Sequence, residues 1–140
     1  MNDFNRDLID EFRANDGKVT GVFEGSPLLL LTTTGAKSGR THTTPLVYLR
    51  DGDRPDGDRI VVFGSRGGAP NHPAWFHNLV ANPSVTVELP DETFEAHAVV
   101  AAGAERDRIF SAQKKAMPAF ADYEAKTDRE IPVVVLERVA

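Results

Sequence analysis

Six short segments rich in β-branched and apolar residues, separated by links of hairpin length, most constrain the fold of this chain. They cover residues 28–34, 43–49, 59–64, 85–89, 94–100 and 131–139. Short strands joined in this way are typical of antiparallel sheets and barrels, and the spacing does not match alternating β-α units. We therefore predict a mainly β fold with peripheral helices (α+β), built on an antiparallel sheet or barrel.

Three other segments predict helices. At about 3–14, apolar residues recur at helical spacing among acidic ones, which indicates an amphipathic N-terminal helix that packs on the rest of the protein. Further helices are expected at 73–81, with Pro73 at the first helical position, and at 105–116. No linker or repeat divides the chain, so residues 1–140 are expected to form a single domain.

Composition excludes several classes of function. The net charge of −5 argues against a general nucleic-acid binder, which needs a broad basic surface. The chain has no cysteine, which excludes disulfides and thiolate metal sites and fits a cytoplasmic protein. The histidines lack metal-ligand spacing, so no metal is expected. The longest apolar run is too short to span a membrane, so stable insertion is not expected, whereas membrane association is left open.

Two stretches, residues 25–50 and 59–87, contain no Asp or Glu, although the chain has 21 acidic residues. The same stretches hold Lys37, Arg40 and Arg66. Since a carboxylate near a bound polyanion costs Coulomb energy, one interpretation is an anionic ligand between these segments. The alternative is that buried strands lack charge in any case, and composition leaves both open.

Two Gly-containing segments are candidate anion sites. Residues 34–40 lie between two predicted strands and combine tight turns with the donors Lys37, Ser38 and Arg40. Residues 64–73 lead from a strand into the N-terminus of a helix, where free N–H groups attract anions. The alternatives are a solvated hairpin and a flexible turn with an ordinary helix cap. Together the two segments favour a phosphate-bearing cofactor over metal or direct acid–base chemistry.

Several motifs occur in a characteristic order. They are LLTTTGAKSGR at 30–40, TPL at 44–46, GSRGG at 64–68, NHPAWFHNL at 71–79 and ANP at 81–83. In this order they resemble the deazaflavin-dependent nitroreductase family of actinobacteria, from about residue 21 to 139. The resemblance implies a split β-barrel like that of FMN-binding flavoproteins.

The resemblance also implies a function. Members of this family use the deazaflavin coenzyme F-420, whose reduced form donates a hydride to quinones, nitroaromatics or activated enones. FMN is the second candidate for the cofactor. An FMN-dependent oxidoreductase on the same fold and a non-catalytic F-420 or flavin carrier remain alternatives. The expected partner is a small-molecule substrate, and the expected state is a monomer or homodimer.

Site residues follow from the resemblance, position by position. The cofactor-binding positions are Lys37, Ser38, Gly39, Arg40, His42, Pro45, Gly64, Ser65, Arg66, Gly67, Trp75 and Asn78. The substrate-pocket positions are Tyr48, Met117, Phe120 and Tyr123, and Ser65 and Tyr123 are the expected substrate or proton contacts.

One departure from the family pattern concerns the substrate pocket. Relatives that activate nitroimidazole prodrugs carry tyrosines where this chain has Met117 and Phe120, so the resemblance puts prodrug activation in doubt and implies a more apolar pocket. The alternative for Met117, Phe120 and Tyr123 is a hydrophobic seam.

Overall fold

The computed structural model describes residues 3–52 and 59–139 of the chain. Its strands are β1 (Leu28–Thr34), β2 (Thr41–Asp51), β3 (Arg59–Phe63), β4 (Ser84–Leu89), β5 (Glu92–Val100) and β6 (Val133–Arg138). Its helices are α1 (Asp3–Ala14), α2 (Ala74–Ala81), α3 (Gly103–Ala116) and α4 (Ala119–Ala125), with 3-10 turns at Gly21–Phe23 and Arg66–Gly68. A polar hairpin loop is also expected from the sequence at 51–58, between the second and third strands, but most of it lies outside the described residues.

The strands close into a barrel in the order β1-β2-β3-β6-β5-β4, and every pairing is antiparallel. The predicted mainly β fold with peripheral helices is thereby confirmed. Closure leaves each of these strands paired on both sides, so no edge strand is exposed. Among the described residues, no helix is both long and apolar enough to cross a membrane.

Packing on both faces explains the uninterrupted apolar run at the start of β1. Successive side chains of a strand point to opposite faces. Leu29 and Leu31 therefore point into the barrel interior, whereas Leu28 and Leu30 pack outside against the apolar face of α1. All four side chains are almost fully buried. This run sets both the register of β1 and the position at which α1 packs on the barrel.

Helices α3 and α4 cover the outer face of β3 and β6. Phe63 of β3 meets Phe110 of α3 and Phe120 of α4 edge to face, with ring centroids 5.9 and 5.7 Å apart. We expected a helix to end before Pro118 and predicted none after it. Instead α4 follows at once, because Pro118 has φ −58° and ψ −21°, which suits the start of a helix.

Helix α2 closes one end of the barrel. Trp75 and Leu79 are buried with the interior strands, whereas Val80 is exposed. Pro73 stands just before the helix, with φ −67° and ψ 154°, and not at its first helical position. Its extended backbone turns the chain from the preceding segment into Ala74.

Candidate functional site

Two cavities meet at Thr44 and Trp75, which line both of them. The larger, of about 700 Å³, is called the polar cavity and is lined by Asn5, Gly35, Ala36, Lys37, Ser38, His42, Thr43, Thr44, Ala74, Trp75, His77 and Asn78. The smaller, of about 320 Å³, is called the apolar cavity and is lined by Phe23, Thr44, Pro45, Leu46, Val47, Phe63, Ser65, Arg66, Pro73, Trp75, Met117, Phe120 and Tyr123. Because they share these two residues, the cavities are adjacent, and the pair is called the groove, with a polar end and an apolar end.

The β1–β2 loop forms one wall of the polar cavity. The Gly35 N–H donates to the Arg40 carbonyl at 2.7 Å, and Gly39 has a φ of 71°, a conformation that favours glycine. A Cβ atom on Gly35 would lie 2.5 Å from the Ser38 hydroxyl, so the loop folds tightly over this glycine. Within the described residues, the N–H groups of Lys37 and Ser38 and the Lys37 ammonium have no protein partner. The loop therefore keeps several donors available to an anion.

Asn78 connects α2 to this loop. Its Oδ1 accepts a hydrogen bond from the Ala36 N–H at 3.1 Å, and its Nδ2 donates to the Thr33 hydroxyl at 3.4 Å. Asn78 lines the polar cavity, but both ends of its amide are already bonded to the protein. It therefore holds the loop against α2 and so shapes the cavity.

No carboxylate lines either cavity among the residues that the structure describes. The polar cavity carries Lys37, His42 and His77, and the apolar cavity carries Arg66. All lining residues of the polar cavity except Asn5 come from the two acid-free stretches of the sequence. An anion in this groove meets no like charge at contact distance.

The turn after β3 forms the polar rim of the apolar cavity. Arg66 has a φ of 48°, which is uncommon for a residue with a side chain and costs energy. A Cβ atom on Gly68 would lie 2.8 Å from the Tyr123 carbonyl oxygen, so the turn packs directly on α4. Ser65 is buried, and within the described part of the chain its hydroxyl has no protein partner. This hydroxyl is therefore available to a ligand in the apolar cavity.

Arg129 binds this turn from outside the cavities. Its guanidinium donates to the carbonyls of Gly64 at 3.0 Å, Ser65 at 2.8 Å and Ala69 at 3.0 Å. It also lies 2.9 Å from Nδ1 of His72. Sequence reasoning gave Arg129 no role, although the segment Thr127-Asp128-Arg129 also fits the family resemblance. Its partners are mostly backbone carbonyls more than fifty positions away, so neighbouring residue types do not indicate them.

His72 is held in one tautomer by this contact. An arginine only donates, so Nδ1 of His72 accepts and the ring proton lies on Nε2. Burial, and then the positive charges of Arg129 and His77, lower the pKa of His72 below its usual value. Burial, and then the charge of Arg66, lower the pKa of Arg129 as well. His72 is therefore neutral at pH 7.

Most of the predicted site residues line the groove. Lys37, Ser38, His42, Trp75 and Asn78 line the polar cavity, and Pro45, Ser65, Arg66, Trp75, Met117, Phe120 and Tyr123 line the apolar cavity. Three predicted residues do not line a cavity: Gly39 and Arg40 belong to the β1–β2 loop, and Gly64 belongs to the turn after β3. Gly67 lies within the 3-10 turn.

Tyr48, expected at the substrate pocket, does not line either cavity. Its ring packs in the barrel interior, with the Arg50 guanidinium 5.7 Å from the ring centre. Neighbouring residues of β2 face opposite sides, and Tyr48 takes the inward side. Phe23 and Thr44 line the groove without having been assigned to it. Thr44 lies within the TPL motif, and this motif could have indicated that Thr44 lines the groove.

The barrel and its two-ended groove define a split-barrel protein suited to an elongated ligand with an anionic end and an apolar end. Residues 4–138 match the model of a family described as F420H(2)-dependent quinone reductase, and the chain belongs to this family. The predicted family of F-420-dependent reductases is thereby confirmed.

Relatives agree with this assignment. The chain is 36% identical over 131 residues to an F420H(2)-dependent quinone reductase of Mycobacterium tuberculosis, which covers 91% of this chain and 85% of that protein. A solved F420-H2 dependent reductase is 38% identical, with a TM-score of 0.68 over 79% of this chain and 94% of that chain. A second structure, described as a domain-swapped dimer, is 36% identical, with a TM-score of 0.70 over 94% and 93%. These structures confirm the split β-barrel.

Proposed function

We propose that the protein is an oxidoreductase that transfers a hydride from reduced F-420 to quinones. The observation that carries this proposal is the groove, in which two adjacent cavities share Thr44 and Trp75. Within the described residues, the polar cavity has no acidic lining residue and has unpaired donors, and the apolar cavity has an unpaired Ser65 hydroxyl. Family membership supports the identity of the cofactor. We propose nitroaromatics and activated enones as further acceptors.

The polar cavity fits the anionic end of F-420, which carries a phosphodiester and a glutamate-rich tail. The N–H groups of Lys37 and Ser38 and the Lys37 ammonium have no partner within the described residues and can donate to phosphate oxygens. His42 lines the same cavity, and Arg40 lies at the end of the loop. We propose that these groups bind the tail.

The apolar cavity fits the ring system and the electron acceptor. When bound, reduced F-420 supplies a hydride from C5 of its deazaflavin. Trp75 and the apolar lining orient the ring and exclude water. A quinone oxygen gains negative charge on reduction, and we propose that the Ser65 hydroxyl and the Tyr123 phenol donate hydrogen bonds to it. Met117 and Phe120 make the rest of this wall apolar.

Titration of the protein with F-420, FMN and FAD, followed by assay of reduced F-420 oxidation with menadione, tests the proposal. We expect F-420 to bind more tightly than either flavin and menadione to be reduced catalytically. Tighter binding of FMN would favour an FMN-dependent oxidoreductase. Tight binding of F-420 without turnover on any quinone, nitro or enone acceptor would favour a carrier.

We also propose the partners and the location of the protein. We propose a small-molecule substrate and no nucleic acid, since the net charge is −5. One relative is described as a domain-swapped dimer, so we propose a monomer or a homodimer for this chain, to be resolved by light scattering. We propose a cytoplasmic location, in keeping with the absence of cysteine. A vesicle-binding assay tests whether the protein also associates with membranes.

A further inference from the structure

We propose that Arg129 is a positioning residue that holds the 64–69 turn in place as the rim of the apolar cavity and thereby sets the affinity for the deazaflavin ring. The inference rests on the proposed function, because it takes the ring to bind in that cavity. Arg129 itself lines neither cavity and acts through the backbone of the turn.

The hydrogen bonds of Arg129 use the whole guanidinium. Nε donates to the Ala69 carbonyl and Nη2 to the Ser65 carbonyl, while Nη1 bonds both the Gly64 carbonyl and Nδ1 of His72. These acceptors span both ends of the turn. The planar fork of arginine can reach them together, whereas the single nitrogen of lysine cannot.

The turn needs such support because its backbone is strained. Arg66 has a φ of 48°, which a residue with a side chain rarely adopts, whereas the neighbouring Gly68 takes its φ of 84° without strain. A strained backbone persists only where its surroundings fix it. Arg129 holds the turn through its carbonyls, and the close approach of Gly68 to Tyr123 holds it against α4. With Arg129 replaced, the turn can relax and carry the Ser65 hydroxyl away from the cavity.

Arg129 also differs from Arg106, a second arginine that donates to a backbone carbonyl nearby. Arg106 donates to the Ile131 carbonyl at 2.7 Å, but it also has Asp107 and Glu130 within salt-bridge distance. Among the described residues, Arg129 has no carboxylate partner. Arg106 lines neither cavity, so it serves as a matched control for loss of a structural arginine.

The test measures equilibrium binding by fluorescence with two probes: F-420, and the same deazaflavin ring with its ribityl chain but no phosphate tail. We expect Arg129→Lys to weaken both probes by about tenfold, because hydrogen bonds from a charged group are lost. Arg106→Lys should lower the melting temperature and leave both affinities within about twofold of wild type. Lys37→Ala should weaken F-420 and leave the tail-less ring unchanged.

An Arg129→Lys protein that melts cooperatively and binds the tail-less ring as tightly as wild type would overturn the inference. Should that variant not fold, His72→Ala removes one of the four acceptors and leaves Arg129 in place. It should weaken the tail-less ring by about threefold, and an unchanged affinity would overturn the inference. Failure of the wild-type protein to bind F-420 would instead overturn the proposed function, and the inference with it.

Discussion

Asp51→Asn should destabilise the protein, because Asp51 accepts hydrogen bonds from two arginines where the barrel meets α3. Its Oδ2 accepts from Arg59 at 2.7 Å and from Arg108 at 3.0 Å, and its Oδ1 accepts from Arg108 at 3.2 Å. The Asp51 and Arg59 side chains are only 9% and 11% exposed. Replacement would leave the Arg59 guanidinium with Glu105, at 3.5 Å, as its remaining ion pair among the described residues.

The lowered pKa of Asp51 gives the size of its contribution to the stability of the fold. Hydrogen bonds from Arg108, opposed by burial and reinforced by Arg59, lower the pKa of Asp51 from 3.8 to about 2. At about 1.4 kcal/mol per pKa unit, ionised Asp51 stabilises the fold by about 2 kcal/mol. Because the folded pKa is the lower one, this stabilisation is complete above about pH 4 and is lost as the pH falls through about 2.

Urea unfolding of wild type and Asp51→Asn at pH 7, 4 and 2 measures this contribution. We expect the variant to lose about 2–4 kcal/mol at pH 7, since it removes the nearer carboxylate of a largely buried arginine, and the difference to shrink toward pH 2. Asp107→Asn, at a carboxylate whose side chain is 74% exposed, is the control and should lose less than about 0.5 kcal/mol. A difference below that level for Asp51→Asn, or one that does not shrink on acidification, would refute the reasoning.

Three further predictions concern the groove. Lys37→Ala should weaken F-420 by about tenfold in a fluorescence titration and leave the melting temperature unchanged, because one exposed phosphate contact is lost; an unchanged affinity would exclude that contact. Ser38→Glu should weaken long-tailed F-420 more than FMN, since the tail brings carboxylates of its own, and equal losses would count against this account. Gly68→Ala should destabilise the protein by about 1–3 kcal/mol, measured by urea unfolding, because of its φ of 84° and its contact with Tyr123; wild-type stability would contradict the packing described here.

Local patterns predicted much of the barrel. Alternating and β-branched segments located all six strands, because the period of two reports which faces are buried. The run at 28–31 was predicted only as part of a strand, and the structure adds that α1 covers one face of it and the barrel interior the other. The strand β2 is longer than predicted, since Thr41 and His42 still pair with β1 although both are exposed.

Features that depend on long-range contacts could not be predicted. Helix α4 is short and depends on the packing of Phe120 against Phe63, which no local periodicity reveals. The inward position of Tyr48 depends on the register of β2 within the closed barrel. The contacts of Arg129 are mostly with backbone carbonyls of a distant turn. Such interactions are set by topology and not by neighbouring residue types.

Anaerobic single-turnover mixing tests the central claim most directly. The protein is loaded with one equivalent of reduced F-420 and mixed with increasing menadione, while the absorbance of oxidised F-420 is followed. The account predicts that the bound cofactor is fully reoxidised, at a rate that saturates with menadione and exceeds the rate for the free cofactor. Reoxidation no faster than that of reduced F-420 free in solution would contradict it.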